Sequence, residues 1–213
     1  MKTAIVLGAT GLVGKHLVQQ LTEDPHFEKV IAITRRAVEY TSDKVDNAVI
    51  HFDEMEQYPH LFDGNVLFSC LGTTIKQAGS FQNQRKVDFD YQYQAAKIAA
   101  ENGVAHYILV SSAGANKHSK TPYFQMKGEL EDAITRLPFP KISIIQPSLL
   151  VGERSEMRIG ETLASLFLPV ICTLTQLKKY RPISGNEVAK KMVSVSLLQA
   201  SEKQTYQLDE VFE

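Results

Sequence analysis

The feature that most constrains this chain is a glycine loop between a short apolar run and an amphipathic segment. Residues 4–7 are all apolar, residues 8–14 read Gly-Ala-Thr-Gly-Leu-Val-Gly, and residues 15–21 carry apolar side chains at helical spacing. A continuous apolar run is typical of a strand that is covered on both faces. The order of strand, tight turn and helix therefore predicts that the chain begins with a β-α unit.

Each glycine of this loop permits something that a side chain would hinder. Gly8 allows the tight turn, Gly11 lets the backbone approach a ligand, and Gly14 lets the helix pack closely on the strand. The N–H groups at the start of the helix carry partial positive charge, which suits a phosphate. We therefore predict that the loop binds the pyrophosphate of a dinucleotide through Gly8, Thr10, Gly11, Leu12, Val13 and Gly14.

Apolar runs and helix-length segments alternate through most of the chain, which predicts an α/β fold with a Rossmann-type, doubly wound parallel sheet. A length of 213 residues fits one domain, with a cofactor-binding core over about 1–147 and a variable substrate or lid region over about 148–213. The predicted strands are Ala4–Leu7, Val30–Thr34, Ala48–Phe52, Val66–Cys70, Tyr107–Ser111 and Lys141–Ile145, with a weaker one at Thr205–Leu208. The predicted helices are Leu12–Leu21, Phe81–Glu101, Pro122–Arg136, Glu161–Leu168 and Gly185–Gln199.

Charge and composition exclude several kinds of partner. The 23 basic and 24 acidic residues leave a net charge of -1, which provides no field for attracting nucleic acid. The apolar stretch Leu163–Leu177 is too short to span a bilayer, so we expect a buried helix, a pocket lid or a homodimer interface there.

The six histidines show no metal-ligand spacing, and we predict no metal site. The N-terminus has no secretory signal pattern, from which we expect a cytoplasmic location.

The residues after the second predicted strand bear on which dinucleotide is bound. An NAD-specific protein places Asp or Glu there, on the hydroxyl groups of the adenosine ribose. This chain has Arg35-Arg36 instead. The planar fork of an arginine side chain is suited to a 2′-phosphate, so Arg35 predicts NADP(H) rather than NAD(H). The alternative is that both arginines are solvated loop residues.

A candidate catalytic set follows the fifth predicted strand. Ser111 and Ser112 lie where that strand reaches the carboxyl edge of the sheet, and Tyr123 and Lys127 share one face of the next helix. A nearby lysine ammonium would bring the pKa of the tyrosine toward neutral pH, where Tyr123 would act as acid or base on a carbonyl or alcohol substrate. Ser112 would orient the substrate oxygen, and Lys127 would also reach the nicotinamide ribose. Taken alone, a Tyr-x-x-x-Lys pair is common on exposed helices.

These motifs resemble the short-chain dehydrogenase/reductases, in their atypical and extended branch. More narrowly, the chain resembles the Tat-interacting, oxidoreductase-like proteins and their bacterial relatives. That resemblance implies an NADPH-binding Rossmann fold and a reductase activity. Four segments carry it: Val87–Tyr91, Leu109–Ala115, Tyr123–Glu129 and Pro147–Leu150.

The resemblance also implies further cofactor contacts. Leu71, Gly72 and Thr73 would line the adenosine ribose, with Ser111 beside the cofactor, whereas Pro147 and Leu149 would contact the nicotinamide. The chain departs from the family pattern at two positions. The relay asparagine of the long helix has no counterpart, Asp88 being the nearest residue, and Gln146 stands where extended members often have arginine.

Two other functions are compatible with the sequence. A non-catalytic NADPH-binding sensor would use the apolar stretch at 163–177 to contact a partner. An epimerase or dehydratase that holds NAD tightly is disfavoured by Arg35. Arg154 and Arg158 would clamp an anionic substrate group or form surface salt bridges, and His118 would face substrate or solvent.

Overall fold

The computed structural model describes residues 1–151 and 181–212. Four features of the sequence analysis lie outside these ranges, namely the predicted helix Glu161–Leu168, the apolar stretch Leu163–Leu177, Arg154 and Arg158.

A seven-stranded, wholly parallel sheet forms the centre of the fold. The strands are β1 Lys2–Leu7, β2 Phe27–Thr34, β3 Val45–Val49, β4 Val66–Ser69, β5 His106–Val110, β6 Lys141–Gln146 and β9 Lys203–Gln207, and a separate parallel pair is formed by β7 Leu150–Val151 and β8 Ile183–Ser184. The order in the large sheet is β3-β2-β1-β4-β5-β6-β9, which confirms the predicted doubly wound α/β fold. The strand order reverses between β1 and β4, which is where such sheets bind ligands.

Helices cover both faces of the sheet. They are α1 Gly14–Glu23, α2 Ile75–Ala78, α3 Phe81–Arg85, α4 Tyr91–Glu101, α5 Pro122–Ile134 and α6 Gly185–Leu198, with 3-10 segments at Phe52–Gln57, Pro59–Phe62 and Leu208–Val211. A π-helical turn at Lys86–Asp90 connects α3 to α4. One apolar core joins the sheet to α1 and α6, and a second joins its other face to α4 and α5.

The third strand differs from its prediction. The sequence predicts Ala48–Phe52, but the strand covers Val45–Val49, and Phe52 begins a 3-10 segment instead. This strand lies at the edge of the sheet, where it pairs with β2 alone and stays partly exposed. An edge strand needs no continuous apolar run, so the apolar pattern places the segment too late.

The predicted long helix Phe81–Glu101 is interrupted by the π-helical turn, which apolar spacing does not reveal. The helical segment ends at Glu101, where Asn102 is followed by Gly103 with a left-handed φ of 80°. Helix α5 begins at Pro122, and the hydroxyl of the preceding Thr121 caps no N–H group of the helix among the described residues.

Two further findings concern the described ranges 1–151 and 181–212 only. None of their helices combines the length and hydropathy needed to cross a bilayer. Their histidine, cysteine and acidic side chains form no group of three that could hold a metal ion.

Candidate functional site

The glycine loop is held against the end of β4 so closely that side chains would not fit. Gly8 has a left-handed φ of 87°, and a Cβ built on it would stand 2.7 Å from the backbone carbon of Cys70. A Cβ on Gly14 would stand 2.1 Å from the Gly8 carbonyl oxygen. Both contacts are far inside van der Waals distance, so the loop requires glycine at both positions.

The loop also presents backbone N–H groups at the start of α1. The Gly11 amide donates to the Gly8 carbonyl at 3.0 Å, which closes the turn. No side chain of the described residues caps the N-terminus of α1. Its first N–H groups therefore suit an anion, and a tight glycine turn in front of them fits the pyrophosphate of a dinucleotide.

Arg35 and Arg36 are exposed directly after β2, beside the glycine loop at the same edge of the sheet. Hydrogen bonds to Thr34 organise this turn, because the Thr34 hydroxyl donates to the Arg36 carbonyl and accepts from Asn47 Nδ2, each at 2.8 Å. The turn is thus anchored while the arginine side chains face solvent.

The structure brings Ser112, Tyr123 and Lys127 together. Ser112 is buried just beyond the end of β5, and Tyr123 lies in the first turn of α5, where Ser112 is close enough to its phenol to lower the pKa. The Lys127 Nζ lies 6.0 Å from the centre of the Tyr123 ring. This convergence places a serine hydroxyl, a phenol and an ammonium at the carboxyl edge of the sheet.

Lys127 is not free to act on Tyr123 alone, because Asp88 pairs with it. Asp88 Oδ1 lies 2.9 Å from Lys127 Nζ, and the two side chains are only 2% and 3% exposed. Asp88 Oδ2 also accepts a hydrogen bond from the Thr73 amide at 2.8 Å. In the sequence, Asp88 stands out only as the residue nearest the position of the family's relay asparagine. The sequence signal that could have identified Asp88 is an acidic residue at a position of the helical segment that faces the protein interior.

The pKa of Tyr123 corrects one of our expectations. Lys127 does lower the pKa of this tyrosine, but not toward neutral pH as we expected, because burial has the larger effect and raises the pKa above the ordinary value, and Asp88 adds to the rise. Burial alone would lower the pKa of Lys127, but the negative charge of Asp88 raises it above the ordinary value. At neutral pH, Tyr123 and Lys127 are therefore both protonated.

Glu131 is a second acidic group near the site that sequence reasoning missed. It follows Lys127 by four residues, the spacing that places two side chains on one helix face. The Gln146 Nε2 donates to both of its carboxylate oxygens, at 2.9 and 3.0 Å. The Ser111 hydroxyl also donates to it. Burial raises the pKa of Glu131, and the Ser111 hydroxyl is already occupied within the protein.

The other predicted cofactor contacts follow strand ends at the same edge of the sheet. Leu71, Gly72 and Thr73 come after β4, and a Cβ on Gly72 would lie 3.7 Å from Asp88 Oδ1. Past β6, the Pro147 carbonyl accepts a hydrogen bond from the Ala113 amide at 3.0 Å, and the Leu149 carbonyl accepts one from the Ile183 amide at 2.9 Å. These bonds tie the segment after β6 to the serine loop and to β8.

A residue distant in sequence supports the glycine loop. Gly185 is the first residue of α6, and a Cβ on it would stand 2.2 Å from the Leu12 carbonyl oxygen. A capping box of Ser184 and Glu187 fixes the start of this helix. That motif is visible in the sequence, whereas its contact with Leu12 is not.

A family model and individual relatives both match this sequence. The model of a family described as NAD(P)H-binding matches residues 8–141. The mitochondrial protein FMP52-1 of Scheffersomyces stipitis is 41% identical over 157 residues, covering 71% of this chain and 69% of that protein. Protein HTATIP2 of Rattus norvegicus is 37% identical over 170 residues, covering 78% and 70%. The resemblance to the Tat-interacting group is confirmed.

Solved structures share the fold at low sequence identity. MoeE5 in complex with UDP-glucuronic acid and NAD has a TM-score of 0.73 at 12% identity, covering 97% of this chain and 76% of that one. The human epimerase family protein SDR39U1 with NADPH has a TM-score of 0.62 at 14% identity, covering 96% and 72%. Both pairs of chains share a Rossmann-type fold.

The expectation of a cytoplasmic location is wrong, because relatives from several fungi are named mitochondrial proteins. The N-terminal pattern bears only on a secretory signal, which does not distinguish the cytoplasm from mitochondria. The matched family model and the fungal and rat relatives show that this chain belongs to the NAD(P)H-binding family.

Proposed function

We propose that the protein is an NADPH-dependent oxidoreductase of the short-chain dehydrogenase/reductase type that reduces a small carbonyl compound. The observation that carries the proposal is the convergence of Ser112, Tyr123 and Lys127 at the carboxyl edge of the sheet. Hydrogen-bonding and proton-donating groups meet there, on the side of the sheet where the glycine loop opens.

Each side chain has a distinct role in this proposal. The glycine loop would hold the pyrophosphate and Arg35 the 2′-phosphate of the cofactor, which supplies a hydride when bound. Ser112 would donate a hydrogen bond to the carbonyl oxygen and orient it. Tyr123 would give its phenolic proton to that oxygen as the alcohol forms.

The electrostatics of the site keep available the proton that carbonyl reduction needs. A general acid must carry its proton at the working pH, and the raised pKa of Tyr123 keeps the phenol protonated at neutral pH. Lys127 is a hydrogen-bond donor suited to the ribose hydroxyls of the cofactor. Its buried ammonium is balanced by Asp88, so it needs no further counter-ion.

The test is a titration with NADPH followed by a panel of aldehydes, ketones and quinones, with NADPH oxidation as the readout. For any compound that is reduced, Tyr123→Phe should lower turnover by about 100-fold or more while cofactor affinity is kept. Tyr93→Phe is the matched control, because Tyr93 is a half-buried tyrosine that stacks on Phe89 within the helical segment.

The Tyr93 variant should turn over as the wild type does. Full turnover by the Tyr123→Phe variant with normal NADPH binding would remove Tyr123 from the mechanism. Tight NADPH binding without oxidation by any compound of the panel would instead favour a sensor that uses the cofactor as a regulatory ligand.

A further inference from the structure

We propose that Asp88 is a positioning residue that acts through Lys127: its carboxylate neutralises the buried ammonium, so that Tyr123 keeps its proton to higher pH and meets a carbonyl substrate as a proton donor. The effect on Tyr123 is a property of the protein by itself. The consequence for the pH dependence of catalysis rests on the proposed function.

The geometry commits the charge of Lys127 to Asp88. Their ion pair measures 2.9 Å, and both side chains are almost fully buried. The distance from Lys127 Nζ to the Tyr123 ring centre is 6.0 Å, about twice as long. A buried ammonium beside a phenol favours the phenolate, but a carboxylate in direct contact with that ammonium cancels much of this effect.

The backbone at Asp88 is arranged to deliver its carboxylate to that position. Asp88 lies in the π-helical turn Lys86–Asp90, a form of helix that frequently occurs at functional sites. Gln92 Nε2 donates to the Asp88 carbonyl at 2.7 Å, and Gln92 Oε1 accepts from the Ser69 hydroxyl at 2.7 Å. The end of β4 thus anchors the turn through a buried glutamine.

The remaining groups around Tyr123 and Lys127 do not restore a net positive charge. Glu131 faces Lys127 from the next turn of α5 and adds negative charge. Ser112, from the loop after β5, is neutral and lies close enough to the phenol to lower its pKa slightly. The nearby Arg85 is paired with Glu129 at 2.7 Å on the more exposed side of α5. The formal charges around Lys127 therefore sum to a negative value, and Asp88 offsets part of the effect by which Lys127 lowers the pKa of Tyr123.

The decisive variant is Asp88→Asn, which removes the charge but keeps an oxygen that accepts from the Thr73 amide. Without its counter-ion, the Lys127 ammonium should lower the pKa of Tyr123 by about 1 or more. The measurement is 13C NMR of protein labelled at the tyrosine Cζ, without added cofactor, with Tyr123→Phe used to assign the signal. Wild-type Tyr123 should still be protonated where exposed tyrosines are half ionised, near pH ~10.

Asp53→Asn is the matched control, because Asp53 pairs with Lys86 at 2.6 Å from an exposed position beside the same π-helical turn. This control should leave the Tyr123 titration unchanged. Equal Tyr123 titrations in the wild type and the Asp88→Asn variant would overturn the proposal. If the variant does not fold, the wild type is titrated alone, and ionisation of Tyr123 at lower pH than the exposed tyrosines would overturn the proposal.

The catalytic consequence is measured separately with any alcohol and carbonyl pair that the enzyme interconverts. Asp88→Asn should move the alkaline rise of alcohol oxidation to lower pH, and oxidation at neutral pH should increase about tenfold for every pH unit that the rise moves. An unchanged oxidation profile despite a lower pKa of Tyr123 would contradict the catalytic part alone. A complete absence of turnover would count against the proposed function and leave the titration result standing.

Discussion

Gly14 faces the Gly8 carbonyl oxygen so closely that a Cβ built on Gly14 would stand 2.1 Å from it. The first turn of α1 is therefore packed on the start of the glycine loop by direct backbone contact. The same approach leaves the helix N-terminus uncovered by side chains of the described residues. The close packing and the predicted anion binding therefore both depend on Gly14, which has no side chain.

Gly14→Ala should separate the loop from α1, because neither backbone segment can yield without losing hydrogen bonds. We expect NADPH affinity to fall at least about tenfold and the free energy of unfolding to fall by about 1–3 kcal/mol. Fluorescence titration with NADPH and urea unfolding measure the two effects. Gly103→Ala is the control, since no atom lies within 4 Å of a Cβ there and only backbone strain results. Normal NADPH affinity in the Gly14 variant would disprove this role.

Arg35→Ala should reduce the preference for NADPH over NADH. The guanidinium is exposed after β2 and is expected to form charge-assisted hydrogen bonds to the 2′-phosphate. Losing them should weaken NADPH binding about tenfold or more and leave NADH binding nearly unchanged. Parallel titrations with both cofactors provide the measurement. Arg136→Ala, which removes an exposed arginine paired with Asp132 just after α5, should change neither affinity. An equal loss for both cofactors would argue against 2′-phosphate recognition.

Gly128→Ala should displace the loop that joins Ser112 to α5. A Cβ on Gly128 would stand 2.2 Å from the Lys117 amide nitrogen and 2.3 Å from the Asn116 carbonyl carbon, and both are backbone atoms. We expect faster amide hydrogen exchange over residues 113–121 and a larger loss of turnover than of NADPH affinity. Gly79→Ala, where a Cβ would have no atom within 4 Å, is the control for a glycine lost from an exposed turn. Wild-type exchange rates in the Gly128 variant would contradict the prediction.

His106 should make the stability of the fold depend on pH. Burial, with smaller contributions from Lys141 and Lys2, lowers the pKa of His106 to about 4. The folded state therefore prefers the neutral imidazole, whose Nε2 lies 2.7 Å from the Ser143 hydroxyl. The resulting stability is present above the unfolded-state pKa of about 6.5 and is lost as pH falls toward about 4.

The effect of His106 should reach at most about 3.5 kcal/mol, because each pH unit between the folded-state and unfolded-state pKa values contributes about 1.4 kcal/mol. Urea unfolding between pH ~4.5 and ~7 should give a clearly shallower slope of stability against pH for His106→Gln than for the wild type. His60→Gln removes an exposed histidine and should keep the wild-type slope. Parallel curves for the wild type and the His106 variant would contradict the assignment.

The class of fold and the parts of the site that depend on near neighbours in the chain could be predicted from the sequence. The run from Ala4 to Gly14 already implies strand, turn and helix, since glycine spacing and apolar runs act over a few residues. The spacing of Tyr123 and Lys127 likewise places both on one face of α5. Edge strand β3 was misplaced because its exposure depends on having a single neighbour in the sheet.

What the tertiary structure decided is the electrostatic character of the site. Asp88 and Lys127 are 39 positions apart in the sequence, and Gln146 at the end of strand β6 donates a hydrogen bond to Glu131 on helix α5. Gly185 supports Leu12 from the far end of the chain. Sequence spacing named the tyrosine and the lysine, but pKa values depend on burial and on every charge within a few ångströms. Those neighbours are brought together only when the strands pair and the helices pack, so the protonation of Tyr123 follows from the fold.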